Sequence, residues 1–447
     1  MKVQPSIILL LSLLRVSLFA SSGSAQTFQD GINVIAPTTS PGDFLPPRTP
    51  TLVRANPAVA SNGRDFLVVW EEMESEPPFS QVGNPVTIRA ARVRDTDGAV
   101  LDAAPITLPA SWSSRSPAVA SDGQDFLVVW QDFTKDRSPV GINCHFESDV
   151  VGARVRAADG AVLDTTPIVV SAHERGQGTP AVAPGQGEYL VVWKDSRASD
   201  CAETDIYGAR VNARNGRVRD RDGFALSQMP GSEEAPAVGF NGRDYLIAWQ
   251  IFEDTPNPGT HIFCTRLAGE SMHVLDRPAI PLSHAPGWHF NAKVVWVDGL
   301  FLLAWESFRD DQAYAYAQGD VYLARLMNVG PRVFYDAGGI PALRGSISQL
   351  GPHLAVRNHE VLLTWQSGGI YGVRVPAMPR PDLDASRFEI SPTADNPTGD
   401  PYKAHLGLAA STRNFLSVWV QNGNILAVRL DATTLQPLDP TALQVSR

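Results

Sequence analysis

The sequence predicts an all-β protein, a seven-bladed β-propeller of four-stranded antiparallel blades. Three observations lead to this prediction: a sevenfold internal repeat, turn dipeptides between short apolar runs, and an Arg and an Asp that recur at a fixed interval. With 447 residues, 43% of them hydrophobic and 19% charged, the chain suits one large repeat-built domain and is unlike a disordered, coiled-coil or polytopic membrane protein. Its 37 basic and 47 acidic residues give a net charge of −10, which argues against nucleic acid as a partner.

The first 25 residues are typical of a removable export signal. Lys2 precedes an apolar run from Ile7 to Ala20, and small residues at Gly23–Ala25 stand before Gln26, as signal peptidase requires. An uncleaved anchor is the alternative, but the run is short for a membrane span and Arg15 interrupts it. We therefore predict a signal peptide, a secreted or periplasmic location, and no membrane span in the mature chain.

The domain predicted for residues 26–447 contains seven apolar runs that each end in Trp. These residues, spaced 60, 63, 56, 56, 60 and 54 apart, are Trp70, Trp130, Trp193, Trp249, Trp305, Trp365 and Trp419. A continuous apolar run such as FLVVW fits a strand that is buried on both faces. Most runs follow a second short run such as Pro57–Ala60, and a turn dipeptide such as Asn62-Gly63 stands between the two. This arrangement is a strong hairpin signal.

After each Trp, a loop of variable length leads to a third predicted strand with an Arg and a fourth with an Asp. The Arg–Asp intervals are 10 residues in six repeats and 11 in the fifth: Arg92–Asp102, Arg154–Asp164, Arg210–Asp220, Arg266–Asp276, Arg325–Asp336, Arg374–Asp384 and Arg429–Asp439. In the first three repeats the midpoint is Asp97, Asp159 or Asn215, each followed by Gly, which is typical of a three-residue hairpin loop. Each Arg should therefore face its Asp across the hairpin. We interpret the pairs as scaffold, because a feature of every repeat is most simply structural.

Seven repeats of four strands predict a closed ring. A β-solenoid is the alternative, but its repeats are usually shorter and lack paired hairpin signals. The pattern PAVAS-(N/D)G-x-D-FLVVW, followed by xARV and (D/N)G-x-VLD, resembles the repeats of secreted bacterial β-propeller proteins, mostly known only as hypothetical proteins. The resemblance implies fold and export but no chemistry. We also expect residues 31–35 to dock as a strand on the last blade, near Ala442–Ser446.

Function is expected where the repeats differ. From each Trp to the following Arg the intervals are 22, 24, 17, 17, 20, 9 and 10 residues, so five blades carry long loops on one face and the last two do not. The candidate ligand-binding residues in or beside such loops are Glu71, Asp132, Asp195, Arg197, His284, Trp288, His289, Glu306, Arg309 and Tyr402. Trp288 is the most suggestive, because an exposed Trp in a loop seldom lacks a partner.

The sequence carries no His-Glu-x-x-His, Gly-x-Ser-x-Gly or phosphate-loop motif, so we assign no catalytic residue, metal or cofactor. We expect a monomeric recognition or scaffold protein that binds an extracellular glycan, peptide or protein. The alternative is a polysaccharide hydrolase or lyase that uses Glu71 or Glu306 with Asp132 or Asp195.

The three cysteines predict one disulfide. Cys144 and Cys201 precede Arg154 and Arg210 by ten and nine residues, so they occupy matching positions in adjacent blades. Because export favours oxidation, we predict a bond between them, and we expect Cys264 to remain a buried thiol.

Overall fold

The structure is a computed structural model in which the chain divides into two units, Met1–Arg48 and Thr49–Arg447. The described residues belong to the second unit and run from 51 to 446, with gaps at 76–84, 112, 134–147, 199–202, 254–258, 284–286, 309–318, 330–331, 345–346, 377–382 and 395–404. The predicted signal peptide and the docking strand at 31–35 lie outside them.

The strands follow one another in seven strand groups, named here groups 1 to 7 in chain order. Group 1 consists of β1 (Thr51–Ser61), β2 (Asp65–Ser75), β3 (Val86–Arg94) and β4 (Ile106–Thr107). Group 2 consists of β5 (Ser113–Ser121), β6 (Phe126–Phe133), β7 (Asp149–Val155) and β8 (Ile168–Ser171). Group 3 consists of β9 (Gln177–Pro184), β10 (Glu188–Asp195), β11 (Asp205–Asn212) and β12 (Phe224–Ser227). Group 4 consists of β13 (Ser232–Phe240), β14 (Tyr245–Glu253), β15 (Gly259–Leu267) and β16 (Ile280–Pro281).

The last three groups follow the same order, with one addition. Group 5 consists of β17 (Trp288–Val297), β18 (Leu300–Phe308), β19 (Asp320–Val329), β20 (Arg332–Tyr335) and β21 (Ile340–Leu343). Group 6 consists of β22 (Leu350–Arg357), β23 (Glu360–Ser367), β24 (Gly369–Val375) and β25 (Phe388–Ser391). Group 7 consists of β26 (Leu406–Ala410), β27 (Asn414–Gln421), β28 (Asn424–Asp431) and β29 (Leu443–Gln444). Both β20 and β21 pair with β19.

Within each group, strands that pair do so antiparallel. Groups 1 and 2 share one eight-stranded sheet because a single parallel pair, Val86 with Ser113, joins β3 to β5. One 3-10 helix, Asp384–Ser386, and no α-helix occur in the described ranges. The prediction of an all-β chain built from four-stranded antiparallel sheets is therefore confirmed.

The turn predictions are also confirmed. Gly63 and Gly123, at the first hairpins of groups 1 and 2, have φ angles of +87° and +90°. Gly98, Gly160 and Gly216 follow the predicted hairpin midpoints and have φ angles of +75°, +76° and +71°. These left-handed conformations explain why glycine stands there. The connections between the second and third strands are short in groups 6 and 7, as predicted, since β23 and β24 are separated by one residue and β27 and β28 by two.

The hydrophobic core lies between neighbouring groups. The Trp that ends each of the seven apolar runs is at most 1% exposed, and it lies within the second strand of its group, which continues beyond it. Phe66 and Val68 of group 1 pack with Leu416 and Val418 of group 7, and corresponding clusters join each successive pair from groups 1 and 2 to groups 6 and 7. A single group buries only part of its apolar surface by itself, so its stability depends on both neighbours.

Six of the seven predicted Arg–Asp pairs form. Their shortest distances are 2.7 Å for Arg92–Asp102, 2.7 Å for Arg154–Asp164, 2.7 Å for Arg210–Asp220, 2.7 Å for Arg266–Asp276, 2.9 Å for Arg325–Asp336 and 2.5 Å for Arg429–Asp439. Asp336 directly follows β20 and precedes β21, whereas in the other five pairs the Asp lies before the fourth strand rather than within it. Arg92 also donates to the carbonyl oxygen of Ala157 in group 2, at 3.0 Å, so the pair holds the neighbouring hairpin as well.

The seventh predicted pair, Arg374 with Asp384, is wrong. Arg374 bonds to Glu360 and donates to the carbonyl oxygen of Thr433 at 2.6 Å, whereas Asp384 pairs with Arg387 at 3.0 Å. The reason is visible in the sequence, because the segment between them has prolines at 376, 379 and 381 and no turn glycine. Arg374 thus keeps its contact with group 7, but within group 6 its partner is Glu360 in place of Asp384.

Groups 7 and 1 contact each other through polar residues as well as through the core. Arg429 donates to the carbonyl oxygen of Asp95 at 2.8 Å, and Asn414 Nδ2 donates to its carboxylate, also at 2.8 Å. Arg54 donates to the carbonyl oxygen of Gly423 at 3.0 Å. The C-terminal β29 pairs with β28 as the fourth strand of group 7.

Candidate functional site

The first strand of most groups carries a bulge at a residue with positive φ, which lies between the two stretches that pair with the second strand. Asn56, Ser116, Thr179, Ala235 and Asn291 have φ angles of +49°, +53°, +45°, +47° and +58°. Non-glycine residues adopt this conformation at a cost of about 1 to 2 kcal/mol each. The pairing register with the second strand shifts at the same place, as at Ala55 and Ala58. The bulges therefore belong to the shared architecture of the groups.

Side chains directly after the Trp of the second strand anchor some of these bulges to the preceding group. Glu71 Oε1 accepts hydrogen bonds from the backbone N–H of Ser116 and from Asn56 Nδ2, both at 2.6 Å. Glu306 Oε1 likewise accepts from the backbone N–H of Gly351. The structure thus places two predicted site residues, Glu71 and Glu306, at contacts between groups, where their carboxylates are buried.

The same segments surround a cavity of about 450 Å³. Its lining comes from all seven first strands or their immediate starts: residues 56–59, 116–119, 179–182, 235–238, 291–294, 351 with 353–354, and 405–408. Cavities of this volume suit small ligands.

The lining is not uniform around the cavity. Counting back 12 residues from each strand-ending Trp gives Ala58, Ala118, Ala181 and Ala237 in groups 1 to 4, but Lys293, His353 and Gly407 in groups 5 to 7. Two ionisable side chains therefore stand side by side where the first four groups present methyl groups. Lys293 and His353 were not predicted from the sequence, although superposing the repeats on their Trp residues would have found them.

Burial shifts the pKa of both side chains. It lowers the pKa of the Lys293 ammonium, and the carboxylate of Glu306 opposes this shift. Burial also lowers the pKa of His353 to about 3, and the nearby Lys293 adds to the effect. The Nδ1 of His353 lies 3.0 Å from the carbonyl oxygen of Gly351, so the neutral ring donates from Nδ1 and presents Nε2 as an acceptor.

A second depression, named here the aromatic cleft, lies between groups 4 and 5. It has a volume of about 290 Å³ and is lined by Ser232, Glu234, Gln250, Phe252, Thr260, Trp288 and Phe290. The rings of Phe252 and Trp288 stack with centroids 5.9 Å apart, and those of Trp288 and Phe290 stack at 6.1 Å. Phe252 is 38% exposed. The cleft adjoins the cavity, because Ala235 and Asn291 of the cavity lining directly follow Glu234 and Phe290.

Of the other predicted site residues, Asp132, Asp195 and Arg197 lie in internal hydrogen-bond networks. Asp132 accepts from Ser114 Oγ at 2.6 Å. Asp195 accepts from the indole of Trp193 at 2.8 Å and pairs with Arg197 at 2.7 Å. His289 is fully buried, and its backbone N–H donates to Thr260 Oγ1 at 2.7 Å. Trp288 is thus the predicted residue that lines an open site, whereas His284, Arg309, Tyr402, Cys144 and Cys201 lie outside the described residues.

A buried carboxylate pair between groups 3 and 4 also escaped our sequence analysis. Burial raises the pKa of Glu233 to about 7, and the charge of Asp205 adds to this. Burial likewise raises the pKa of Asp205. Glu233 Oε1 accepts from Ser227 Oγ at 2.5 Å, and its Oε2 has no hydrogen-bond partner among the described residues. Such shifted carboxyl groups concentrate at functional sites, although buried structural groups show them too.

Neither a metal-binding cluster of three or more His, Cys, Asp or Glu residues nor a helix able to span a membrane occurs within the described ranges. Cys264 is a buried free thiol, as expected.

No family model matches the sequence, and no curated protein matches it. Among solved structures, the chain is similar to Kuenenia stuttgartiensis hydrazine synthase, with 8% identity, coverage of 86% of this chain and 97% of that chain, and a TM-score of 0.48. It is similar to Penicillium chrysogenum α-L-arabinanase complexed with arabinobiose, with 11% identity, 72% and 94% coverage and a TM-score of 0.39. It is also similar to Bacteroides ovatus xyloglucan PUL GH43B, with 12% identity, 90% and 85% coverage and a TM-score of 0.37. At these values the function has to be inferred from the chain's own residues.

Proposed function

We propose that the chain is an exported, seven-bladed β-propeller that binds a carbohydrate chain in the aromatic cleft. Three features support the closed ring: seven strand groups, core clusters that join groups 7 and 1 as well as each successive pair, and a cavity lined by all seven groups. Export would be tested by sequencing the amino terminus of the mature protein, which should begin near Gln26. A mature chain that still begins at Met1 would contradict it.

The stacked rings of the aromatic cleft carry the carbohydrate proposal. The C–H faces of a sugar ring pack well against exposed aromatic faces, and exposed aromatic patches bordered by polar groups mark binding sites. Thr260 Oγ1 is bonded to the backbone of His289, and Glu234 Oε1 to Lys194. Gln250 Nε2 and the second carboxylate oxygen of Glu234 stand beside Phe252 and Trp288 and can form hydrogen bonds with sugar hydroxyls. The cleft therefore offers both kinds of contact that a glycan needs.

Binding to a glycan array, followed by calorimetry with the best oligosaccharide, tests the proposal. Trp288→Ala should weaken the affinity at least tenfold, which corresponds to about 1.4 kcal/mol. The matched control is Phe334→Ala on β20, which removes another exposed ring, 48% exposed, outside the cleft. Absence of glycan binding by the wild-type protein, or equal affinities of wild type and the Trp288 variant, would refute the proposal.

A polysaccharide hydrolase is the second candidate function, and the observation that favours it is the pair Glu233 and Asp205. Hydrolases use one protonated and one ionised carboxyl group, which requires environments that separate their pKa values. Glu233 meets the first requirement near neutral pH. The carboxylates of Glu71, Glu306, Asp132 and Asp195 are already occupied by the contacts described above.

Release of reducing ends from the bound glycan distinguishes the two functions. A hydrolase should lose at least 100-fold of its rate in Glu233→Gln and keep its affinity, since a positioned general acid contributes about that factor or more. A binding protein should release no reducing ends in either form.

A further inference from the structure

Lys293 stands out among the residues that line the central cavity. It is the one Lys, Arg, Asp or Glu in the lining, and it replaces the Ala of groups 1 to 4. Placing an amine there removes a methyl group from an apolar surface and desolvates a potential charge, both of which oppose folding. A residue that costs stability and gains no structural contact is a candidate for function.

The surroundings of Lys293 leave its amine without a bonded partner. Among the described residues, none forms a hydrogen bond or an ion pair with the Lys293 amine. Glu306 on β18 is close enough to affect its charge but is bonded to the backbone N–H of Gly351. On β22, His353 is neutral and bonded to the carbonyl oxygen of Gly351 in the same strand. Directly before β26, His405 Nδ1 accepts from the backbone N–H of Asn56 at 3.2 Å. The adjacent β13 segment of the lining, Ala235–Val238, has no titratable side chain.

We propose that Lys293 is a covalent attachment site for a small carbonyl compound, an aldehyde or ketone, that enters the central cavity. The reaction is imine formation: the nitrogen lone pair attacks the carbonyl carbon, the C–O bond breaks, and the two amine protons leave with the carbonyl oxygen as water. No oxidant or reductant is consumed. The step needs a neutral amine with space around it, and desolvated lysines supply this in other proteins. This inference does not depend on carbohydrate binding in the aromatic cleft.

Burial favours the neutral amine that this chemistry needs. An exposed lysine has a pKa of about 10.4 and is mostly protonated at neutral pH, so its reactivity rises about tenfold with each pH unit. The lowered pKa of Lys293 predicts a flatter dependence. Lys194 provides the contrast within the same chain, since it is half-buried and forms an ion pair with Glu234 at 3.1 Å.

The test is reductive labelling of the full chain with glycolaldehyde. Cyanoborohydride, added only to trap the imine, transfers hydride to its carbon and leaves a stable secondary amine that peptide mass spectrometry locates. At pH 7 we expect Lys293 to be labelled faster than Lys194. Between pH 7 and pH 9 the labelling rate at Lys293 should rise less steeply than the roughly 100-fold rise expected of an ordinary exposed lysine.

Two variants complete the test. Lys293→Arg retains a cationic side chain but forms no adduct, and Lys293→Met removes the amine while matching its length, so label should disappear from this position in both. Circular dichroism of each variant shows whether the fold is intact. If Lys293 in the folded wild type stays unlabelled, or if its labelling follows the same pH dependence as Lys194, the attachment site is refuted. Neither outcome bears on glycan binding, which is measured separately with the Trp288 variant.

Discussion

The hairpins that carry the Arg–Asp pairs and the segments that line the cavity differ in how faithfully they repeat. In six groups the Arg, the Asp and their bidentate contact recur with almost the same geometry. Around the cavity, by contrast, four groups present Ala where two present Lys293 and His353. The repeated hairpins hold neighbouring groups together, so each must fit the same kind of partner. The cavity lining has no such requirement, and its differences therefore indicate where function resides.

The strongest test of the scaffold role is Asp164→Ala, with Asp384→Ala as its control. Removing Asp164 leaves the buried Arg154 without its carboxylate and one backbone N–H without its acceptor at 2.8 Å. Loss of one partner of a buried pair typically costs about 3 to 5 kcal/mol. Asp384 pairs with the exposed Arg387, so its loss should cost less than about 1 kcal/mol. Denaturant unfolding measures both, and equal losses would show that the repeated pairs do not hold the groups together.

A test of similar size concerns the interface between groups 3 and 4, where Glu233 is buried. Its pKa rises on folding from 4.5 to about 7, so the folded state holds a proton that the unfolded state releases. The stability linked to this group is fully present below pH 4.5 and is lost as pH rises to about 7. Glu233→Gln removes the ionisable group and with it the loss of stability at high pH. The variant should therefore be more stable than wild type by up to about 3 kcal/mol at pH 8, and little changed at pH 4.

Thermal unfolding across this pH range checks the prediction, and Glu234→Gln is the matched control. Glu234 is the next residue along β13 but is partly exposed and paired with Lys194, so its substitution should leave the pH profile nearly parallel to that of wild type. A wild-type stability that rises between pH 4.5 and pH 7 in the same way as that of Glu233→Gln would contradict the assignment.

Substitutions at two glycines distinguish the free-energy cost of backbone strain from the cost of disturbed packing between groups. Gly160 and Gly123 both have positive φ, so alanine costs about 1 to 2 kcal/mol at either. A Cβ on Gly160 would lie 2.9 Å from Asp102 Oδ1 and 3.0 Å from Arg92 Nε, whereas nothing lies within 4 Å of one on Gly123. Gly160→Ala should therefore cost about 1 to 3 kcal/mol more than Gly123→Ala. Equal unfolding free energies would mean that the Arg–Asp pair of group 1 does not depend on the hairpin of group 2.

The fold features that sequence reasoning recovered are those with a local signal. FLVVW runs, Asn-Gly turns and the fixed Arg–Asp interval each depend on residues close in the chain, so strands, hairpins and six ion pairs followed from them. The exception, Arg374, failed where prolines replaced the turn signal. Trp288 was found because a large aromatic residue in a predicted loop is conspicuous by itself, although the structure places it at the start of β17 and only partly exposed.

The cavity lining and the buried acid pair could not be found this way because their members are distant in sequence. Lys293 and His353 are 60 residues apart, and Glu233 and Asp205 are 28 apart. Glu71 and Glu306 follow the Trp of an apolar run, so the sequence predicted exposed loop acids. In the structure each carboxylate accepts a hydrogen bond from a backbone N–H at the bulge of the next group. Only the packing of neighbouring groups reveals such contacts.

The smallest expected effect concerns the three thiols. Cys264 is fully buried and burial raises the pKa of its thiol, so it should not react with Ellman's reagent in the folded protein. If Cys144 and Cys201 are joined as predicted, unfolding in urea without reductant should release one reactive thiol, and unfolding with prior reduction should release three. Three thiols without reductant would show that the disulfide does not form. A reactive thiol in the folded wild type that persists in Cys264→Ser would assign it to Cys144 or Cys201 and lead to the same conclusion.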